Sequence, residues 1–210
     1  MKRRIAAMCG VLIVLNLIPS LGCVGRIKYP NYYALNLPAP PDPPKQEGVR
    51  AVLAVREFRS PAYLRQGALV YRPTPEQVSF YNYNRWAVDP RELVTNAVEA
   101  HLRASGMFSQ VRTYDGHSDT DYVITGRLER LEEIDYDGGV KVAVEISAQM
   151  TSIASGATVW SNQAAEIEPV EGRNMPAVVT AMNRTLDVAI GKLFNPPPGP
   201  TTTTTAPSGN

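Results

Sequence analysis

Histidine and cysteine are scarce in this 210-residue chain, which contains two of each. So few imidazoles and thiols leave little material for a metal centre or a histidine-based acid–base pair. Cys9 lies inside an apolar run near the N-terminus and Cys23 lies just beyond it. Once a leader is removed, no pair of thiols remains, so the fold must stand without a disulfide even in an oxidising compartment. An excess of one charge is also missing, with 21 Lys and Arg against 20 Asp and Glu. With Lys2, Arg3 and Arg4 set aside the remainder is slightly acidic, which excludes the basic footprint of a nucleic-acid binder. The apolar run from Ile5 to Ile18 is about 14 residues, or ~21 Å as a helix, short of a ~30 Å hydrocarbon core. No Gly-x-Ser-x-Gly elbow, His-Glu-x-x-His helix, Cys-x-x-Cys pair or phosphate-cradling glycine loop occurs.

What the N-terminus does contain is the order of a secretory signal: the basic Lys2–Arg4, the apolar run, then Pro19, Ser20 and small residues. Ser20-Leu21-Gly22-Cys23 resembles a bacterial lipobox, in which the cysteine becomes the lipid-bearing first residue. Gly22 supplies the small side chain needed beside the modified thiol; Ser20 stands where leucine is usual, and Pro19 is also atypical. The expectation is a signal peptide over 1–22 and lipid attachment at Cys23, with plain secretion or an uncleaved anchor as alternatives. Residues 23–48 then read as the lipobox cysteine and a tether, kept extended by Pro30, Pro38, Pro40, Pro41, Pro43 and Pro44. Residues 196–210 read as a disordered Pro/Thr tail with almost no apolar surface to bury.

The folded domain is therefore expected over 49–195. Val49–Phe58, Leu69–Arg72 and Val78–Trp86 read as strands, with Pro73 and Pro75 turning the chain between the last two. A helix follows, with Asp89 as N-cap, Pro90 in the first position and Glu92 completing a capping box. Its apolar stripe is Leu93, Val94, Ala97, Val98 and Leu102, and Gly106 stops it. Tyr122, Ile124, Gly126 and Leu128 alternate with polar residues over Asp121–Leu131. After the hairpin signal Asp137-Gly138-Gly139, Val140, Val142, Val144, Ile146, Ala148 and Met150 do the same. A strand over Thr158–Ile167 containing Trp160, and a helix over Asn174–Phe194 with Val179, Met182, Leu186, Ile190 and Leu193 on one stripe, complete the domain. The fold class is α+β: a single, mostly antiparallel sheet with two amphipathic helices packed on one face, leaving the other face or an edge for a partner.

Three stretches concentrate functional side chains. Asp115-Gly116-His117-Ser118-Asp119-Thr120-Asp121 gathers carboxylates, an imidazole and a hydroxyl, but in residue types that turns also use. His101 lies within the first helix and reads as an ordinary helical residue. Glu129, Glu132, Glu133, Asp135 and Asp137 flank the hairpin, where a solvated rim is the expectation and paired-carboxylate chemistry the alternative. Phe80-Tyr81-Asn82-Tyr83-Asn84-Arg85-Trp86 either packs the sheet or makes a contact surface, since Tyr, Trp and Arg are favoured at interfaces. Tyr81, Tyr83, Arg85 and Trp86 are the candidate contacts with a partner or lipid. No catalytic residue, metal ligand or cofactor is assigned.

The order Tyr32-Tyr33-x-Leu35, Tyr63-Leu64, Leu69-Val70-Tyr71-Arg72, Val78, Tyr83, Arg85-Trp86-Ala87, the capped helix, Ser105-Gly106-x-Phe108-x-x-Val111, Asp121-Tyr122 and Gly126-x-Leu128 resembles the ABC-type transport auxiliary lipoprotein family. That family includes the lipoprotein of the paraquat-inducible system, and the resemblance covers about residues 29–194. It implies a non-catalytic periplasmic component of a system built from an ABC transporter and an MCE-domain protein that moves lipid between membranes. The implied partners are that MCE-domain protein, the outer membrane through the N-terminal lipid, and further copies in a homo-oligomer. Val24 is not the aspartate that marks inner-membrane retention in enteric bacteria, which agrees with an outer-membrane site. The rivals are a lipoprotein that regulates cell-wall synthesis or envelope integrity, and a secreted hydrolase working through the His117 segment.

Overall fold

The computed structural model describes residues 28–37, 49–116, 119–136 and 138–198. Eight strands form one mixed sheet: β1 (Asn31–Tyr33), β2 (Val49–Val55), β3 (Ala68–Arg72), β4 (Ser79–Trp86), β5 (Phe108–Thr113), β6 (Tyr122–Ile134), β7 (Lys141–Ser152) and β8 (Thr158–Pro169). Among the described residues, two helices, α1 (Pro90–Ala104) and α2 (Met175–Leu193), and a short 3-10 turn at Ala62–Gln66 accompany the sheet. The signal, lipobox, His117–Ser118, Asp137 and the Thr-rich tail lie outside the described residues.

The sheet is dominated by an antiparallel meander of β6, β7 and β8, paired along nearly their whole lengths. Alternation explains its placement. Val142, Val144, Ile146, Ala148 and Met150 are all buried on the face that α2 covers, and Leu128 lies opposite Ile146 in the neighbouring strand. A bulge between Leu128 and Arg130 shifts the register, so that Leu131 rather than the next alternate residue stands opposite Val144. On α2, Val179, Met182, Leu186, Ile190 and Leu193 are buried, as their spacing predicts. β8 holds the helix by polar contacts too: Glu168 with Arg184, Glu166 with Lys192, and the Asn162 amide donating to the Leu193 carbonyl.

The other strands attach to the far edge of β6 in short, mostly parallel pairings. β2 takes Tyr122–Ile124, β3 takes Glu133 and Ile134, and the isolated bridge Arg59–Arg127 lies between them. β5 adds to β2, while β4 pairs antiparallel with β3 and parallel with β1. At the junction Phe58 lies across Gly126; a Cβ there would come within 2.3 Å of its ring. The Phe58 N–H donates to Thr95 Oγ1, which donates in turn to the Arg91 carbonyl and so ties the exit of β2 to α1.

α1 begins as expected at Asp89 and Pro90, but the cap partner is Arg91. Its backbone N–H and guanidinium both donate to the Asp89 carboxylate, and holding these two donors keeps that carboxyl below the ordinary aspartate range. Gly106, with φ of 63°, takes the left-handed position after the helix. Two strands were not foreseen. Asn31–Tyr33, placed in the tether by its prolines, forms the edge strand β1, and Tyr33, Leu35 and Leu37 pack on the core. Phe108–Thr113 shows little alternation, yet forms β5 because β2 presents an edge to it.

Candidate functional site

A groove of about 1060 Å³ opens at the hairpin end of the meander, where β4, the β6–β7 turn and the start of α2 converge. One wall is apolar, with Val140, Val170, Met175 and Val178; the other carries Tyr81, Asn84, Glu133 and Asp135. The groove lies where β3 and β6 finish in register, with Arg72 opposite Ile134, and α2 starts only at Met175. Asn174 caps that helix by accepting from the Ala177 N–H, and Arg173 stands at the rim.

The acidic wall differs from the solvated rim expected of a hairpin. Glu133 is 4% exposed and Glu132 is fully buried. After the bulge, β6 points Glu133 to the face that α2 covers and Glu132 to the opposite one. The Tyr81 hydroxyl donates to both Glu133 carboxylate oxygens, at 3.0 and 2.9 Å, and the Tyr81 ring rests on Tyr71. Burial raises the Glu133 carboxyl above the ordinary glutamate value; the tyrosine hydrogen bond opposes this and the charge of Asp135 adds to it. Burial also raises the Tyr81 phenol, with the neighbouring Glu133 charge and hydrogen bond in the same direction. On the opposite face Glu132 Oε1 accepts from Arg72 Nε and Arg130 Nε, each at 2.7 Å, which makes it a brace between β3 and β6. Asp135 is exposed, and Glu129 pairs with Arg127 at the surface.

The four aromatic and basic candidates on β4 do not form one surface. Trp86 is buried in the core. Arg85 donates to the Gln66 carbonyl at 2.7 Å and crosses Gly67, clamping the turn into β3. Tyr83 is exposed, with the Lys28 ammonium over its ring. Only Tyr81 lines the groove. The structural reason is the irregular β3–β4 register, which places extra β4 residues between the pairs Ala68–Arg85 and Val70–Phe80 and breaks simple alternation. His101 stacks on Phe194, which stacks on Trp160, and burial lowers its pKa. Among the described residues no cluster of three or more His, Cys, Asp or Glu could hold a metal ion.

A second concavity, of about 690 Å³, lies on the uncovered face of the meander. Thr125, Ser147, Gln149, Ser161 and Gln163 floor it, and Arg56, Arg59 and Arg127 stand along one side. Most of its lining side chains are polar, with Ala148 among them, whereas the groove sets carboxylates beside several large apolar side chains. Sequence reasoning placed carboxylates at the hairpin but missed the groove, since its Met175, Val178 and Tyr81 come from distant segments.

Among solved structures, a Xanthomonas campestris protein of the DUF330 family superposes with a TM-score of 0.68 at 19% identity, covering 78% of this chain and 92% of its own. An uncharacterised protein superposes with a TM-score of 0.63 at 16% identity, covering 80% of this chain and 98% of its own. Both likenesses establish the fold. No curated protein matches the chain. The pattern of the ABC-type transport auxiliary lipoprotein component matches residues 33–190, from the end of β1 through most of α2. The groove, the meander, α1 and most of α2 thus fall within the region matched, and the chain belongs to the ABC-type transport auxiliary lipoprotein family.

Proposed function

We propose that this auxiliary lipoprotein is a non-catalytic periplasmic part of an ABC/MCE-type intermembrane lipid transport system, held at the outer membrane by a lipid on Cys23. The carrying observation is that the family match spans nearly the whole described domain, so the α+β module itself is the auxiliary component. Residues 1–22 are its signal peptide, 23–48 carry the anchor and much of the tether, 49–195 hold most of the domain, and 196–210 are a tail. ATP hydrolysis belongs to another subunit.

The groove supports a docking role through its charge and shape. A buried carboxylate and the exposed Asp135 face an apolar wall, a combination that receives an apolar segment carrying one basic side chain. In this reading that segment belongs to the MCE-domain partner, and Tyr81 is the contact that lines its path. Additional copies of the chain would repeat the groove around a ring or stack. Affinity purification of the full-length protein from gently solubilised membranes, with mass spectrometry of bound proteins and lipids, tests the proposal. The expected result is an MCE-domain protein with phospholipid, reduced several-fold by Tyr81→Ala. Recovery of a cell-wall synthase instead, unaffected by that substitution, would overturn it.

A further inference from the structure

Three tyrosines at or beside the β1–β4 edge are exposed. Tyr29 is 76% exposed, Tyr32 63% and Tyr83 41%, and the Lys28 ammonium sits 4.4 Å from the centre of the Tyr83 ring. Tyr32 lies opposite Arg85 in the parallel β1–β4 ladder, and β1 is the terminal strand on this side of the sheet. The other exposed large apolar residues among those described, Val88, Ile153 and Ile167, are not tyrosines. Tyrosine has an apolar ring and a hydroxyl that needs water or a headgroup, and tyrosines with flanking lysines concentrate where bilayers meet water.

The chain's own connectivity selects the bilayer as the occupant. Five residue steps separate Cys23 from Lys28, so the two can be no more than about 18 Å apart even if fully extended. From Cys23 to Pro41 the sequence has no acidic residue, and its only charges are Arg26 and Lys28. A lipid on Cys23 therefore holds a tyrosine-rich edge, whose leading segment carries cations and no acidic residue, within reach of anionic headgroups. We infer that Lys28, Tyr29, Tyr32 and Tyr83 form a membrane-seating edge that lies in the headgroup layer of the bilayer holding the Cys23 lipid. This inference rests on the lipoprotein reading. It sets the orientation of the domain: the β1–β4 edge faces the membrane, and the far end of the meander, near Ile153, points away. The bilayer also covers a terminal strand whose backbone would otherwise invite pairing.

The test uses the full-length protein, purified from membranes and reconstituted into vesicles of phosphatidylethanolamine and phosphatidylglycerol. Tyr29→Trp and Tyr32→Trp are compared with Ile153→Trp, and the emission of Trp86 and Trp160 is subtracted using the parent protein. Tyr29 precedes β1, so its replacement leaves the strand pairing untouched even if Tyr32→Trp disturbs it. In vesicles whose lipids carry bromine high on the acyl chain, the added emission from positions 29 and 32 is expected to fall by about half, because the interface is only ~5–8 Å deep. Emission from position 153 should not change. Acylation is read separately from the mass of the N-terminal peptide. An acylated protein with no quenching at 29 or 32 overturns the membrane-seating edge alone, including the case where a second copy covers it. A peptide without the acyl mass overturns the lipoprotein reading and this inference together.

Discussion

The two flanks of β6 are built on different principles. On one side β7 and β8 run antiparallel to it in long, nearly continuous ladders, joined by tight turns and backed by α2. On the other side β2 and β3 touch it only at its two ends, in parallel, and reach it from distant points in the chain. The meander is thus held mostly by contacts between neighbours in sequence, and the flank by a few long-range pairings with side-chain braces. The braces are Phe58 over Gly126, Arg72 on Glu132 and Tyr81 on Glu133. The difference teaches where the groove comes from. The groove opens where β4, which joins β6 only through β3, meets the end of the meander.

The sharpest way to break this contrast is to remove the main brace. Phe58→Ala leaves a cavity at the junction and should cost ~3–5 kcal/mol. Denaturant titration would measure it, and hydrogen exchange should show β2 and β5 losing protection before β7. Equal loss across all strands would mean that the two flanks form one cooperative unit. Glu132→Gln should cost less, ~2–3 kcal/mol. Removing the carboxylate from a buried pair costs ~3–5 kcal/mol, but here both guanidiniums keep some contact with water. Asp89→Ala touches only the flank, at the start of α1, and should cost ~1 kcal/mol in the same titration.

The smallest effect is a pH dependence located at the groove. The folded state raises the Glu133 carboxyl above its ordinary value of 4.5, so the folded protein holds this proton more tightly than the unfolded chain. The resulting stability is fully present below about pH 4.5 and is lost as pH rises through the raised folded value. Glu133→Gln should remove this decline, so the stability difference between variant and parent should move in the variant's favour from pH 4 to 7. A constant difference across that range would show that Glu133 titrates alike in both states.

Much of the meander half, and the helix on the flank, was legible in the sequence. Val142 to Met150 alternates without interruption, α2 carries an unbroken stripe, and α1 announces itself through Asp89, Pro90 and Gly106. These signals are local, because side-chain period and capping depend only on nearby residues. The candidate site was harder to read. Tyr81, Tyr83, Arg85 and Trp86 were singled out for their chemistry, yet one lines the groove, one joins an exposed edge, one clamps a turn and one is buried.

By itself, then, the sequence determined the α+β class, the order of most elements and the faces that α1, α2 and β7 bury, since hydrophobic periodicity and caps act within a few residues. Only the tertiary structure decided that Asn31–Tyr33 and Phe108–Thr113 become edge strands, that β2 and β3 share one edge of β6, and that Glu132 and Glu133 go inside. A short segment becomes a strand when an edge with unpaired backbone groups lies beside it, and a carboxylate tolerates burial when a donor arrives from elsewhere in the chain. Arg72 lies 60 residues from Glu132, and Tyr81 lies 52 from Glu133. No local pattern encodes such meetings.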